Sequence, residues 1–165
     1  MTTVGFYDAL APDYHLLYGD WSAAIDRQGE ALAQLLAGAG VPPGSVVLDA
    51  ACGIGTQTIG LVARGYRLQA SDLSAGAVDR LSQELVARGL SADLRVDDIQ
   101  TLQSVQAGSM DAVIACDNSI PHLLSDEQTL CALRSCGPAI AASDRAASSC
   151  CRFATTRRRT AAVRP

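Results

Sequence analysis

Residues 46–57, VVLDAACGIGTQ, constrain the fold of this chain more than any other segment. A short apolar run ends in Asp49, and a turn that contains Gly53 and Gly55 leads into a predicted helix. Glycines let a ligand approach the backbone closely, and the start of a helix offers free N–H donors. The segment therefore predicts a ligand site where a strand ends in an open α/β sheet.

The rest of the chain alternates between short apolar runs and stretches with helical spacing. Strands are predicted at residues 46–48, 67–71, 94–96 and 112–115, and helices at residues 25–36, 59–65, 74–89 and from Ser125 onward. Ser74 and Ser125 are the predicted N-caps, the latter at the start of a Ser-Asp-Glu-Gln capping box. This alternation predicts an α/β fold with a Rossmann-like, doubly wound parallel sheet.

The composition is that of a single ordinary domain. The chain has 165 residues, 48% of them apolar, and no stretch approaches the ~20 apolar residues that cross a membrane. The N-terminus has neither the basic start nor the apolar core of a secretion signal, so a cytoplasmic location without a membrane partner is expected. The six cysteines form no CxxC pair and show no zinc-ligand spacing, so free thiols and no metal site are expected.

Aspartates follow all four predicted strands: Asp49, Asp72, Asp98 and Asp117, with no Arg or Lys in these loops. Ligands of open α/β sheets sit at the carboxyl ends of the strands. Such a cluster would repel a pyrophosphate and attract a cation, with a few kcal/mol per contact at an intermediate dielectric. The competing interpretation is a dinucleotide-dependent oxidoreductase, but Thr58 stands where the GxGxxG fingerprint needs its third glycine.

These motifs resemble those of class I S-adenosylmethionine-dependent methyltransferases. VVLDAACGIG is similar to their motif I, and SDLS at residues 71–74 is similar to their second-strand acidic motif. Within that class, GIGTQTIGL, ASDLS and ACDNSIPHLL resemble the glycine/sarcosine N-methyltransferase-like group, and the resemblance runs over residues 7–134. It implies methyl transfer from S-adenosylmethionine to a small-molecule acceptor, an amine in that group. One departure is Ala51, where many members have glycine; it requires a negative φ.

The resemblance also implies roles for individual residues. The methionine end of the cofactor would be held by Asp49, Ala51, Gly53 and Gly55, and the ribose hydroxyls by Asp72. The residues implied at the adenine, at the sulfonium and in the N-terminal cover are Leu73, Asp98, Ile99, Cys116, Asp117, Tyr14 and Trp21. Asn118 and His122, in DNSIPH after the fourth strand, are the implied catalytic residues.

Most of these residues also have a purely structural interpretation. Asp72 could merely cap the helix at Ser74, and the pair Asp97–Asp98 could be a solvated loop. The histidines and the aromatic residues could belong to the core or to the surface. A non-catalytic remnant that retains part of a cofactor pocket is also compatible with the sequence.

Residues 135–165 differ in charge from the rest of the chain. They contain 6 Arg and one acidic residue, whereas residues 1–134 contain 7 Arg and 16 acidic residues. A basic arm can bind nucleic acid, but this one has a single aromatic residue and no amphipathic period, so no nucleic-acid partner is expected. Read in a shifted frame through GC-rich codons, SSCCRFATTR at residues 148–157 becomes LLLSVRDY, which resembles the fifth strand of that methyltransferase group.

Two parts of the chain are therefore expected. Residues 1–134 are the N-terminal part of a methyltransferase domain, with helices at 1–44 and the cofactor-binding core at 45–134. Residues 135–165 are expected to be an aberrant, out-of-frame tail, and the sheet to be truncated after its fourth strand. Such a sheet exposes an apolar edge, so the 165-residue chain is expected to be poorly soluble and inactive.

Overall fold

Four parallel strands form the sheet of this protein, whose computed structural model describes residues 2–117 and 119–140. The strands are β1 (Val46–Asp49), β2 (Arg67–Asp72), β3 (Asp93–Val96) and β4 (Ala112–Ile114), in the order β3-β2-β1-β4. The helices are α1 (Thr3–Leu10), α2 (Trp21–Gly38), α3 (Thr56–Val62), α4 (Ala75–Ala87) and α5 (Asp126–Ala139), with 3-10 turns at Tyr14–Leu17 and Ile120–His122. The predicted α/β fold is confirmed.

Helices cover both faces of the sheet. Val47 of β1 packs with α2 and α3, and the next residue, Leu48, points to the opposite face and packs with the α5 residue Cys136. Helices α2 and α3 cross closely, because a Cβ atom on Gly29 would lie 2.7 Å from the Cα atom of Gly60. Among the helices of the described residues, none combines the length and the hydropathy needed to cross a bilayer.

The predicted helix caps are present. The Ser74 hydroxyl accepts the N–H of Ala77 at 3.1 Å, and the Ser125 hydroxyl accepts that of Gln128 at 3.2 Å. The Gln128 side chain reaches back to the N–H of Leu124, one residue further than in the usual capping box. These local hydrogen bonds satisfy donors at the helix starts, which is why the caps could be identified from sequence alone.

Helices α2 and α5 extend beyond their predicted ends. Helix α2 begins at Trp21 rather than residue 25, because Asp20 accepts the N–H of Ala23 at 2.9 Å and caps it. Helix α5 continues past Arg134, where the sequence pattern ends, and Cys136 and Ala139 are buried in its last turns. Residues 135–140, at the start of the segment expected to be aberrant, thus pack against the domain. Residues 141–165 lie outside the described residues, so the out-of-frame reading stays a prediction.

Candidate functional site

A cavity of about 340 Å³ opens at the carboxyl ends of the four strands. Its volume lies within the usual range for small-molecule sites. Its wall is built from α1, the first 3-10 turn, the loop after β1, the ends of the other three strands and the second 3-10 turn. The residues predicted from sequence that line it are Tyr14, Ala51, Gly53, Asp72, Leu73, Asp98, Ile99, Cys116, Asp117 and His122.

The loop after β1 leaves open space beside the cavity. Gly53 has φ +51°, and a Cβ atom there would meet nothing within 4 Å. The N–H of Cys52 donates to the carbonyl of Ser71 at 3.0 Å and ties the loop to β2. Ala51 does not have a positive φ. Alanine can therefore stand where many members of the family have glycine. The loop therefore exposes backbone to a ligand without strain at Ala51.

Asp72 ends β2 and holds two loops together. One carboxylate oxygen accepts the N–H of Gly53 and the other that of Ser74, each at 2.9 Å. The side chain of Ser74 caps helix α4, so capping of this helix does not by itself explain the position of Asp72. Burial raises the pKa of Asp72, and these backbone N–H groups offset part of the effect. Each oxygen retains a lone pair that can accept a further hydrogen bond.

Asp97 and Asp98 follow β3, and both line the cavity. Asp97 is 9% exposed and accepts the N–H groups of Asp98, Gln103 and Ser104 as well as the Ser104 hydroxyl. Burial opposes the charge of Asp97, but these hydrogen bonds outweigh it and leave its pKa below the ordinary value. Asp98 accepts the N–H of Gln100 at 2.8 Å. The alternative of a solvated loop is therefore wrong for Asp97, which organises the loop from within.

Asp49 lies behind the cavity wall rather than on it. The side chain is fully buried, and the Thr58 hydroxyl donates to Oδ2 at 2.7 Å. Burial raises its pKa to about 7, and the negative charges of Asp72 and Asp117 add to the shift. Asp49 is not among the residues that line the cavity, so its role in holding the methionine end of the cofactor stays a prediction.

Gly55 and Trp21 also lie behind the wall, although both were predicted to contact the cofactor. A Cβ atom on Gly55, which has φ +94°, would overlap the side chain of Leu81. The indole of Trp21 is buried and donates to the Thr56 hydroxyl at 2.9 Å, so it supports the wall instead of folding over the cavity. Both positions face the core because α2 and α4 pack against this side of the loop.

Asp117, just after β4, is held by side chains that sequence analysis did not identify. Its Oδ2 atom accepts the Gln57 amide at 2.9 Å and the Tyr18 hydroxyl at 3.5 Å. The same Gln57 nitrogen donates to Gln28 of α2 at 2.5 Å. Asp117 has φ +58°, a conformation that Asp tolerates better than most residues. A polar residue at the second position of α3, next to the glycine turn, was the available signal for Gln57.

The first helix closes the cavity through a contact with His122. The Tyr7 hydroxyl and the Nε2 atom of His122 lie 2.6 Å apart. Beside Tyr7, the carboxylate of Asp8 accepts the Ser74 hydroxyl at 2.6 Å and the N–H of Gly76 at 2.9 Å, which anchors α1 on the start of α4. Asn118, the other predicted catalytic residue, lies outside the described residues.

The cavity wall is rich in negatively charged side chains. Its acidic lining residues are Asp72, Asp97, Asp98 and Asp117, and no Arg is found among the lining residues within the described part of the chain. His122 is the one basic side chain in that described set. Cys116 is buried in the wall, and burial raises the pKa of its thiol, so it is neutral at physiological pH. The cavity therefore favours a ligand with positive charge.

Similarities to known proteins agree with this geometry. Residues 47–141 match the family described as a methyltransferase domain. Over 82 residues the chain is 33% identical to the ubiquinone biosynthesis O-methyltransferase of Xanthomonas axonopodis pv. citri (strain 306), covering 50% of this chain and 34% of that protein. The chain thus spans about a third of the length of this curated relative.

Two solved structures show the same fold. The magnesium protoporphyrin IX methyltransferase ChlM from Synechocystis PCC 6803, with bound SAM, is 22% identical with a TM-score of 0.62, covering 84% of this chain and 67% of that chain. The [4+2]-cyclase SpnF is 20% identical with a TM-score of 0.69, covering 84% of this chain and 55% of that chain. At these identities the likeness concerns the fold, and the family match covers more than half of the chain. This protein therefore belongs to the family of methyltransferase domains, in which S-adenosylmethionine is the methyl donor.

Proposed function

We propose that this domain binds S-adenosylmethionine and transfers its methyl group to a small amine in the cytoplasm, as the glycine/sarcosine N-methyltransferase-like group does. The observation that carries the proposal is the acidic cavity beside the open Gly53 turn. S-adenosylmethionine has a sulfonium and an ammonium group against one carboxylate, so its net charge complements this wall. Since the chain spans only part of its curated relative, the activity of the whole protein is part of the proposal.

The described residues fit the cofactor. Asp72 retains acceptor capacity for the ribose hydroxyls, while its two hydrogen bonds keep the carboxylate in place. Leu73 is half exposed at the cavity and offers an apolar surface to the adenine, with Asp98 and Ile99 at its edge. The backbone at Ala51 and Gly53 is open to the methionine end, and Asp49 supports it from behind.

The chemistry needs orientation more than it needs a strong base. When bound, the cofactor supplies a methyl group that its positive sulfur already activates. Holding an acceptor in line and excluding water can provide most of the acceleration. Tyr7 and the rest of α1 cover the cavity, and His122 lies on its wall. Since the Nε2 atom of His122 is hydrogen-bonded to the Tyr7 hydroxyl, His122 is proposed to take a proton from an acceptor amine through Nε2 only when that contact opens. Asn118 is proposed to orient the acceptor.

The geometry disfavours a dinucleotide-dependent oxidoreductase. A pyrophosphate at the loop after β1 would lie between the carboxylates of Asp72 and Asp117, with no Arg in the described cavity wall to compensate. Thr58, which replaces the third fingerprint glycine, is fully buried and donates to Asp49. Its side chain fills the space that a glycine would leave for close helix–strand packing.

Isothermal titration with S-adenosylhomocysteine tests the proposal. Binding by the parent chain is expected, and Asp72→Ala should weaken it at least tenfold, because charge-assisted hydrogen bonds contribute about 1.5–3 kcal/mol each. Asp79→Ala, an exposed acid on α4, is the matched control and should leave affinity unchanged. An Asp72→Ala protein with a parent-like circular dichroism spectrum and parent-like affinity would contradict the assignment.

Methyl transfer to a panel of small amines tests the acceptor. In a longer relative that carries DNSIPH, the equivalents of Asn118→Ala and His122→Ala should lower turnover while cofactor affinity stays within a few-fold. Equal losses in affinity and turnover would show that these residues serve the cofactor instead. Cofactor binding without transfer to any amine would favour the non-catalytic remnant.

A further inference from the structure

Residues 12–21, which we call the tyrosine segment, lead from α1 into α2 and place Tyr14 and Tyr18 on the cavity wall. The 3-10 turn of this segment, Tyr14–Leu17, contains no buried residue. Its two leucines are 69% and 67% exposed. Burial of these leucines therefore contributes little to holding the turn in place, and the contacts at the two ends of the segment become decisive.

Arg80 of α4 contacts both ends of the tyrosine segment. Its Nη1 atom donates to the carbonyl of Pro12 at 2.6 Å. Its guanidinium carbon lies 5.9 Å from the centre of the Trp21 ring, a distance at which an aromatic ring attracts a cation. Arg80 is not one of the residues that line the cavity, so it does not contact a ligand there. One side chain of α4 thus bridges the beginning and the end of the segment.

Glu84, one turn further along α4, fixes the direction of the Arg80 side chain. Its Oε1 atom accepts hydrogen bonds from Nε and Nη2 of Arg80 at 2.9 and 2.6 Å, which leaves Nη1 directed at Pro12. The side chains of Arg80 and Glu84 are only 21% and 16% exposed, so solvent screens this pair less than a surface pair. Burial opposes the charge of Glu84, but hydrogen bonds from Arg88 and Arg80 outweigh it and keep its pKa below the ordinary value.

Hydrogen bonds connect Trp21 to the cavity. The indole donates to the Thr56 hydroxyl at 2.9 Å, and this hydroxyl donates to that of Tyr18 at 3.2 Å. Thr56 and Tyr18 both line the cavity. The place of the Trp21 ring, against which Arg80 packs, therefore affects where these two hydroxyl groups stand.

We propose that Arg80 is a positioning residue for the ligand, because it holds both ends of the tyrosine segment and so keeps Tyr14 and Tyr18 at the cavity wall. Without this bridge the segment opens more often, and the fraction of molecules that can bind a ligand falls. The expected effect on ligand affinity rests on the proposed function, whereas the expected effect on the segment can be measured without ligand.

Amide hydrogen exchange of the ligand-free 165-residue chain tests the bridge. Arg80→Met keeps an unbranched apolar stem but removes the charge and the donors, and it should speed exchange in residues 13–19 about fivefold. Arg88→Met is the matched control. The guanidinium of Arg88 lies 5.3 Å from the centre of the Trp21 ring, but both of its hydrogen bonds go to Glu84, so the change should stay below about twofold. Equal exchange rates in the two variants would overturn the inference.

The fluorescence of Trp21 tests the other end of the bridge. Trp21 is the only tryptophan in the chain, and its side chain is buried. Arg80→Met should increase quenching of this fluorescence by acrylamide, an uncharged molecule whose access does not depend on the removed charge. Quenching equal to that of the parent chain would overturn the contact of Arg80 with the Trp21 end.

Isothermal titration with S-adenosylhomocysteine tests the consequence for the ligand. Arg80→Met should weaken binding about threefold, since fewer molecules have the segment in place. Arg67→Met is the charge control, because Arg67 is exposed at the start of β2, away from the cavity, and affinity should not change.

The outcomes separate positioning from general stability. A lower urea midpoint of Arg80→Met with parent-like exchange in residues 13–19 would assign Arg80 a merely structural role and overturn the inference. Faster exchange with parent-like affinity would overturn its role toward the ligand. If the parent chain binds no S-adenosylhomocysteine, the proposed function fails, and the exchange rates still decide whether Arg80 holds the segment.

Discussion

The two sides of the cavity are built in different ways. On the β2–β3 side, made by Asp72, Asp97 and Asp98, the carboxylates accept backbone N–H groups from residues 1 to 19 positions away. On the β4 side, made by Asp117 and His122, the side chains contact others 60 to 115 positions away. Local bonds form as soon as their loops form, whereas distant contacts require the N-terminal segment to dock.

This difference separates a rigid side from an adjustable one. The β2–β3 side is held by backbone groups that cannot rotate away. The β4 side depends on α1, which has no buried residue and is fixed by the polar contacts of Tyr7 and Asp8. We infer that the nucleoside end of the cavity is preformed, and that the acceptor end opens and closes with α1.

The largest expected effect comes from Gly55→Ala, at the turn between the two sides. The new Cβ atom would overlap the buried Leu81 and would require a disfavoured φ, so the free energy of unfolding should fall by about 4 kcal/mol. Gly40→Ala is the control, since its φ is similar at +83° but its surroundings are open. Urea unfolding should show a loss of about 1 kcal/mol there. Equal losses would mean that strain alone, and not contact with Leu81, governs Gly55.

Asp49, which lies behind both sides of the cavity, should make the free energy of unfolding depend on pH, because its carboxyl group is fully buried. Its pKa is raised from 3.8 to about 7, so folding favours the protonated form. The contribution is complete below about pH 4 and is lost as pH rises through about 7, a change on the order of 4 kcal/mol. Asp49→Asn should flatten this part of the stability profile, measured by urea unfolding between pH 4 and 8. The same slope in parent and variant would contradict the assignment.

Asp97→Ala tests the β2–β3 side alone. It removes four hydrogen bonds that hold the loop after β3, so the free energy of unfolding should fall by about 2 kcal/mol at neutral pH. Because the pKa of Asp97 is lowered, its contribution is present above pH 4 and is lost as the pH falls further. Asp93→Ala, which breaks only the exposed pair with Arg95, is the control and should cost less than about 0.5 kcal/mol.

Tyr7→Phe tests the β4 side and should have the smallest effect. Loss of the hydrogen bond to His122 should speed amide hydrogen exchange in α1 about fivefold, because the free energy of local opening falls by about 1 kcal/mol. The free energy of global unfolding should not change. Tyr14→Phe is the control, because the Tyr14 hydroxyl forms no hydrogen bond with the described residues. Equal exchange rates in both variants would show that this contact does not hold α1.

Much of the cavity could be predicted from sequence. Asp72, Asp98 and Asp117 stand at its wall because each follows a strand, and strand ends of a parallel sheet meet at one edge. Gly53 is also at the wall, in the turn that the sequence indicated. Sequence alone did not show how the residues of this motif are oriented: Asp49 and Gly55 belong to it, but both are buried and neither lines the cavity.

The sequence by itself determined the order of strands and helices along the chain, the caps at Ser74 and Ser125, and the negative charge of the cavity. These depend on spacing, local hydrogen bonds and charge, which act within a few residues. The tertiary structure alone decided that Trp21 supports the wall, that Gln57 and Tyr18 hold Asp117, and that Tyr7 meets His122. The direction of a side chain depends on the neighbours that pack against it, and here those neighbours come from distant parts of the chain.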